Sequence, residues 1–387
     1  MQLQNIKNWG VIGDGMADDT TALQAALDSG CHELFIPTGL YRVTATLRVP
    51  SHTHLTAEAT ARIFLSGPRK HRSDFLLTNA DHENGNTDIA ICGGVWDGGN
   101  RLPENAKPDI FDENGYSGTV LHFFNIKGLT LRRLVVANSV TYNIRMAKIS
   151  DFVIEDIDFL SDVFGWNQDG LHFGGDVHHG EVRRIRALSK GQTNDDLIAL
   201  NADDFLTRVE NRDLVCGDIE DIVFEDLFAE DCHTIIRLLT TVSAIRNITF
   251  RRIYAGYRCN AINPDAGRYM RTPLFEETDM PNGVGRIENL QIEDMTCYPT
   301  NPNPDTTDPR ARLHTALALE SHAEGLKISG FKKINPLNLP VPGTALCACN
   351  LLNTAIAADG QTFRMEKKED LIELDHFAEL TVGRISK

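Results

Sequence analysis

The chain lacks any apolar run approaching the ~20 residues that a helix needs to cross a bilayer. Its opening residues, Met1-Gln2-Leu3-Gln4-Asn5, lack the apolar core and small-residue cleavage site of a secretory leader. It reads as cytoplasmic as the sequence stands, or as secreted if a leader has been removed. A basic excess is also missing. Lys and Arg number 38 against 54 Asp and Glu, giving a net charge of −16 and a pI near 5.2. That excludes nucleic acid and an anionic membrane as main partners, because both require a basic face. An acidic sugar held by a local arginine cluster stays compatible. The eight cysteines never stand at CxxC spacing. No metal site is therefore assigned, and buried free thiols in a reducing compartment are expected.

What is present is a repeat. The unit apolar-x-apolar-x-polar-apolar occurs as Leu129-Thr130-Leu131-Arg132-Arg133-Leu134 and Phe152-Val153-Ile154-Glu155-Asp156-Ile157. It returns as Ile222-Val223-Phe224-Glu225-Asp226-Leu227, Ile248-Thr249-Phe250-Arg251-Arg252-Ile253, Leu290-Gln291-Ile292-Glu293-Asp294-Met295 and Leu326-Lys327-Ile328-Ser329-Gly330-Phe331, with a weaker copy ending at Ile185. The final apolar positions are separated by 23, 28, 42, 26, 42 and 36 residues. The short steps are one coil each; the long ones are a coil with an inserted loop. Each unit is too short to bury its own apolar face, so stacking must bury it. Period-two alternation rich in Ile, Val and Phe marks strands, and the absence of hairpin turns at each step marks parallel stacking. The expected fold is all-β, a parallel β-helix forming one domain over residues 1–387.

Within that domain, residues 1–46 supply an N-terminal cap and first strands, about 85–340 the stacked coils, and 341–387 the C-terminal coils and cap. Thr20 to Leu27 reads as an amphipathic helix capped by Asp18 or Asp19 and stopped at Gly30, covering the open end of the column. A calcium reading of these N-terminal acids matches no EF-hand spacing. Insertions at Asn100–Gly118, Phe205–Gly217, Tyr257–Val284 and Pro299–Arg310 are expected on one face, bordering a binding site.

Three carboxylates carry the chemistry. Asp169 lies in Asn167-Gln168-Asp169-Gly170, and Asp195 and Asp196 in Asn194-Asp195-Asp196. The 26-residue step from Asp169 to Asp195 is about one coil. Asp169 is thus expected directly beneath Asp195, roughly 5 Å away. Carboxylates so close cannot all ionise freely, so at least one pKa should be raised. Two carboxyls of different pKa flanking one bond are what acid-assisted glycoside cleavage needs. His172 alternates with Leu171 and Phe173, so it faces either the groove or the outer wall. Trp166 adjoins the acid turn as a sugar platform or a structural anchor. Arg145 is a groove cation or a rung of a stack. Asp203 and Asp204 repeat an acid pair and are placed in the following loop.

Gly13-Asp14-Gly15 is followed by Asp18-Asp19-Thr20-x-Ala22-x-Gln24-x-Ala26, and a turn Gly93-Gly94-Val95-Trp96-Asp97-Gly98 comes later. The first resembles the opening of the pectate-lyase superfamily of right-handed parallel β-helices, and the second is similar to that superfamily's Gly-x-Ile-Asp-Gly turn. Asn138-Ser139-x-x-Tyr142-x-Ile144, Asn167-Gln168-Asp169-Gly170, Asn194-Asp195-Asp196 and Ile236-Arg237-Leu238 resemble successive motifs of the polygalacturonases. The resemblance implies an inverting glycoside hydrolase acting on a pectin-type or related oligosaccharide, without a cofactor. By it, Asp195 is the general acid, Asp169 and Asp196 hold and activate water, and Arg237 binds substrate, with His233, His172, Asn167, Arg145 and Trp166 around it. Three departures stand out: Gly-His-Gly has no match, with His233 and His172 the nearest histidines; Leu239 replaces a lysine; Asn194 replaces a glycine.

Two other readings share the scaffold. A uronate lyase or epimerase would use the carboxylates to hold Ca2+ and Arg237 or His233 as base. A phage-type carbohydrate-binding β-helix, as a homo-oligomer, would bind sugar without cleaving it.

Overall fold

The repeat's final apolar positions stack in register from coil to coil. Leu134 pairs with Ile157, Ile157 with Ile185, Ile185 with Leu227, Leu227 with Ile253 and Ile253 with Met295, every pairing parallel. This is a parallel β-helix, seen in a computed structural model that describes residues 3–71, 74–100, 115–203, 214–266, 284–301, 314–340 and 343–385. A continuous apolar cluster runs inside the coils from Ile6 to Val382. Burying each Ile or Leu side chain there contributes roughly 1.5–3 kcal/mol.

Corners are set by the polar residue before each final apolar position. Arg133, Asp156, Arg184, Asp226, Arg252 and Asp294 all have positive φ, between 53° and 58°. Their charges alternate in sign from coil to coil, and so do those of Arg132, Glu155, Arg183, Glu225, Arg251 and Glu293. Arg184 reaches Asp156 and Glu155 below it, and Arg252 reaches Asp226 and Glu225. The ladder opposes unlike charges at each rung, so a one-coil slip would set like charges together.

The N-terminal helix, Thr20–Leu27, packs Leu23, Ala26 and Leu27 over the column end. Asp19 stands at its N-cap but makes no capping bond; its carboxylate accepts from the Ile12 and Gly13 N–H groups. Asp18 instead accepts from the Thr20 N–H and hydroxyl. Asp14 accepts from Met16 and Ala17 N–H groups, so this acidic turn satisfies itself with its own backbone. At the other end the direction of pairing changes. Leu380–Arg384 runs antiparallel against Leu326–Ser329 and Thr354–Ala358, and Ile372–Leu374 against Leu346–Ala348. The C-terminal segment thus closes the last parallel edges, as an edge-protecting cap should.

Residues 101–114, 205–213, 267–283 and 302–310 of the four expected insertions, with Asp204, lie outside the described residues. Tyr257–Asp265 is not inserted loop: it continues the strand Ile245–Asp265. None of the eight cysteines is joined in a disulfide; Cys232, Cys259, Cys297 and Cys347 are buried as expected, whereas Cys31, Cys92 and Cys349 are half-buried and Cys216 is exposed.

Candidate functional site

The site is built on a stack of short strands. Leu121, Ile144, Leu171, Ile198, Ile236 and Ile262 pair successively and point inward, each fully buried. The next residue of each rung points outward: His122, Arg145, His172, Ala199, Arg237 and Asn263. The acids sit three and four residues before this outward column, where each chain enters its strand.

Register corrects the expected stacking. His172 pairs with Ala199, a step of 27 residues (199 − 172), not 26. Asp169 is therefore in line with Asp196, and the Gly170 N–H donates to the Asp196 carbonyl at 2.8 Å. Asp196 pairs in turn with Thr234 on the coil above. Asp195 stands beside this pair, and its carboxylate is 28% exposed where those of Asp169 and Asp196 are buried. The three acids do come together, with Asp195 at the water side.

Burial pushes the Asp169 carboxyl well above the usual carboxylate range, and the negative charge of Asp195 adds to the rise. Arg237 and Arg145 oppose it. Asp196 is raised for the same first reason, then by Asp195 and Asp169, with Arg237 and the Thr234 hydroxyl pulling the other way. One oxygen of each, Asp169 Oδ1 and Asp196 Oδ1, is buried without a hydrogen-bond partner. The other Asp169 oxygen is 2.5 Å from His172 Nδ1. That bond turns His172 toward the acids, and Tyr142 meets its ring edge-on at 4.8 Å.

The remaining expected site residues divide. His233 Nδ1 is 3.5 Å from Asp195 Oδ1 and one third exposed. Trp166 is 88% exposed, so it anchors nothing and its ring is open to a ligand. Asn167 takes a positive φ of 56° in the adjoining turn. Arg145 is fully buried over the Tyr142 ring, 4.7 Å from its centroid, and so does not present its charge in an open groove. Arg237 donates to Asp265 at 2.9 Å, which commits one side of its guanidinium to a buried carboxylate. Asp203 belongs to the scaffold: fully buried, it accepts from the Thr241 N–H and hydroxyl and from the Val242 and Ser243 N–H groups.

Sequence reasoning missed two supports. Arg258 donates to Asn194 Oδ1 at 2.7 Å and to the carbonyls of Gly191 and Thr193, holding the loop that presents Asp195. Asn194 in turn donates to the Gly165 carbonyl at 2.9 Å, joining this loop to the one below. A glycine could not make these bonds, which gives Asn194 a physical reason. Arg258 is 64 residues from Asn194, and no local pattern signals such a contact. Asp265, as partner of Arg237, was likewise hidden in an apparent insertion. A groove of about 620 Å3 lies elsewhere, between Arg184, Arg252, Phe228 and Tyr254 on another face. It holds paired charges at a ladder corner and none of the acids above.

No family model matches the chain. It is 31% identical over 98 residues to the pre-neck appendage protein of Bacillus phage B103, covering 24% of this chain and 11% of that protein. The chain thus matches only about a tenth of the length of such curated relatives. Among solved structures it is similar to the pre-mature gene product 12 of bacteriophage phi29, with a TM-score of 0.62 at 16% identity over 87% of this chain and 42% of that one. It is similar also to an iota-carrageenase of A. fortis, with a TM-score of 0.58 at 13% identity over 88% of each chain. These likenesses bear on architecture alone, and they agree with the register in making this chain a parallel β-helix.

Proposed function

We infer that the chain is a polysaccharide-active enzyme, a glycoside hydrolase that cleaves a glycosidic bond of a pectin-type or related oligosaccharide with carboxylates as acid and base. The observation that carries this is the raised pair, Asp169 in register beneath Asp196, with the water-exposed Asp195 beside it. Three neighbouring carboxyls that cannot all ionise share protons unequally, and that supplies the unequal pair such cleavage requires. In this reading the cluster carries a proton on Asp195, which gives it to the leaving oxygen. The member of the Asp169–Asp196 pair left ionised holds the attacking water and takes its proton, so that one proton leaves the cluster and one enters it, and His172 fixes the orientation of Asp169. Trp166 offers a ring face to a sugar. Arg237, bonded to Asp265, sets the charge balance of the acids and is the cation nearest them for a substrate to meet. The iota-carrageenase likeness supports the scaffold for such chemistry. Inversion at the anomeric carbon is the stereochemical proposal, read from the anomer first formed by NMR.

A screen of defined oligosaccharides with product masses tests the reading. Products that together exceed the substrate by one water support hydrolysis. An unsaturated product without added water would assign elimination instead. A second reading has its own observation, the sequence match to a phage appendage protein. In that reading the same surface binds a saccharide and leaves it intact, and prolonged incubation returns the oligomers unchanged.

A further inference from the structure

Three donor groups converge on the solvent side of the acid cluster. One oxygen each of Asp195 and Asp196 and a ring nitrogen of His233 all lie within 4.8 Å of one another. The edge between His233 Nδ1 and Asp195 Oδ1 measures 3.5 Å. Ligands bound at about 2.0–2.2 Å in a tetrahedron stand roughly 3.3–3.6 Å apart, so that edge already has the right length. An independent feature points to a ligand here: Asp196, 7% exposed, keeps a buried carboxylate oxygen with no hydrogen-bond donor. A buried oxygen left in that state is costly, and a bound cation removes the cost. Asp195 and His233 remain 28% and 33% exposed, which leaves an entry path and open positions for water.

We propose that Asp195, Asp196 and His233 form a binding site for a first-row divalent cation of the zinc–manganese class. An imidazole nitrogen beside two carboxylates suits that class better than Ca2+ or Mg2+, which take oxygen ligands throughout. No redox step is involved. The ion replaces whatever proton the two carboxyls carry, so binding releases protons and weakens as pH falls. One consequence rests on the hydrolase reading: an Asp195 oxygen bonded to the ion cannot also carry a proton to a leaving group, so the cation inhibits cleavage.

Zinc chloride titrated calorimetrically into the chelator-stripped full chain, without sugar, tests the site by itself. The expected result is one saturable site that His233→Ala weakens roughly 10-fold or more. Asp195→Asn weakens it likewise, and both variants keep the metal-free melting temperature because both side chains reach solvent. Calcium chloride gives weaker binding than zinc. Absence of saturable uptake, or His233→Ala binding zinc as tightly as the unaltered chain, overturns the site. Turnover is read separately. If zinc binds as described while the stripped chain cleaves no oligosaccharide, the hydrolase reading fails and the cation site stands. If the stripped chain cleaves and saturating zinc leaves the rate unchanged, the inhibitory consequence is overturned.

Discussion

Asp169 lies one rung beneath Asp196, with the Gly170 N–H bonded to the Asp196 carbonyl, and neither carboxylate opens to water as Asp195 does. Parallel strands place such rungs about 4.8 Å apart. The relationship separates the three acids by environment, two sheltered and one wet, although all three occupy similar turns in the sequence.

That shelter has a sign in the stability of the fold. Asp169 and Asp196 bind their protons more tightly in the folded chain than in the unfolded one. Stability from this source is fully present below the unfolded carboxyl range and is lost as pH rises through the raised folded values. Asp196→Asn removes the Asp196 share of the decline and leaves that of Asp169. The variant's melting temperature exceeds that of the unaltered chain at neutral pH, and the gap closes toward acid pH. A gap independent of pH in thermal scans contradicts the assignment.

Asp203 answers four donors of the turn Thr241–Ser243 from full burial. Asp203→Ala leaves those donors without an acceptor and destabilises the chain by about 2–5 kcal/mol. Chemical denaturation measures it, and a loss below about 1 kcal/mol would show that water replaces the carboxylate.

Gly180 pairs with Phe152, whose ring occupies the space a side chain would need. A Cβ at Gly180 would stand 2.0 Å from Phe152 Cζ. Gly180→Ala therefore costs on the order of 1–3 kcal/mol. Phe152→Leu in the same chain recovers part of that, because the two changes share one space. Additive losses in a double-mutant cycle would refute the shared space.

The corner ladder behaves differently. Arg184 bonds Asp156 and Glu155, but it and Asp156 are 44% and 40% exposed. Arg184→Ala costs at most about 1 kcal/mol, less at high salt. The ladder's value is in register, through opposed signs, more than in stability. A loss approaching that of Asp203→Ala would reverse this ranking.

The coils were legible because the repeat carries its own phase. Each of Leu134, Ile157, Ile185, Leu227, Ile253 and Met295 was placed from sequence, and each pairs with the next. The inner column beneath the site was not, because Leu171–Phe173 is a three-residue strand, too short for periodicity to show. The acids were found from their turns, but the coil length was off by one. A single residue sufficed to move Asp169 from beneath Asp195 to beneath Asp196. Arg258 and Asp265 were out of reach, since each acts across a coil through contacts that strand register alone creates.

The direct test is turnover of a cleavable oligosaccharide by Asp195→Asn, with melting temperature recorded on the same sample. Loss of a general acid slows cleavage by roughly 10²–10⁴-fold, and the partly exposed Asp195 side chain predicts an unchanged melting temperature. Turnover equal to that of the unaltered chain, at an equal melting temperature, would contradict the role given to this cluster.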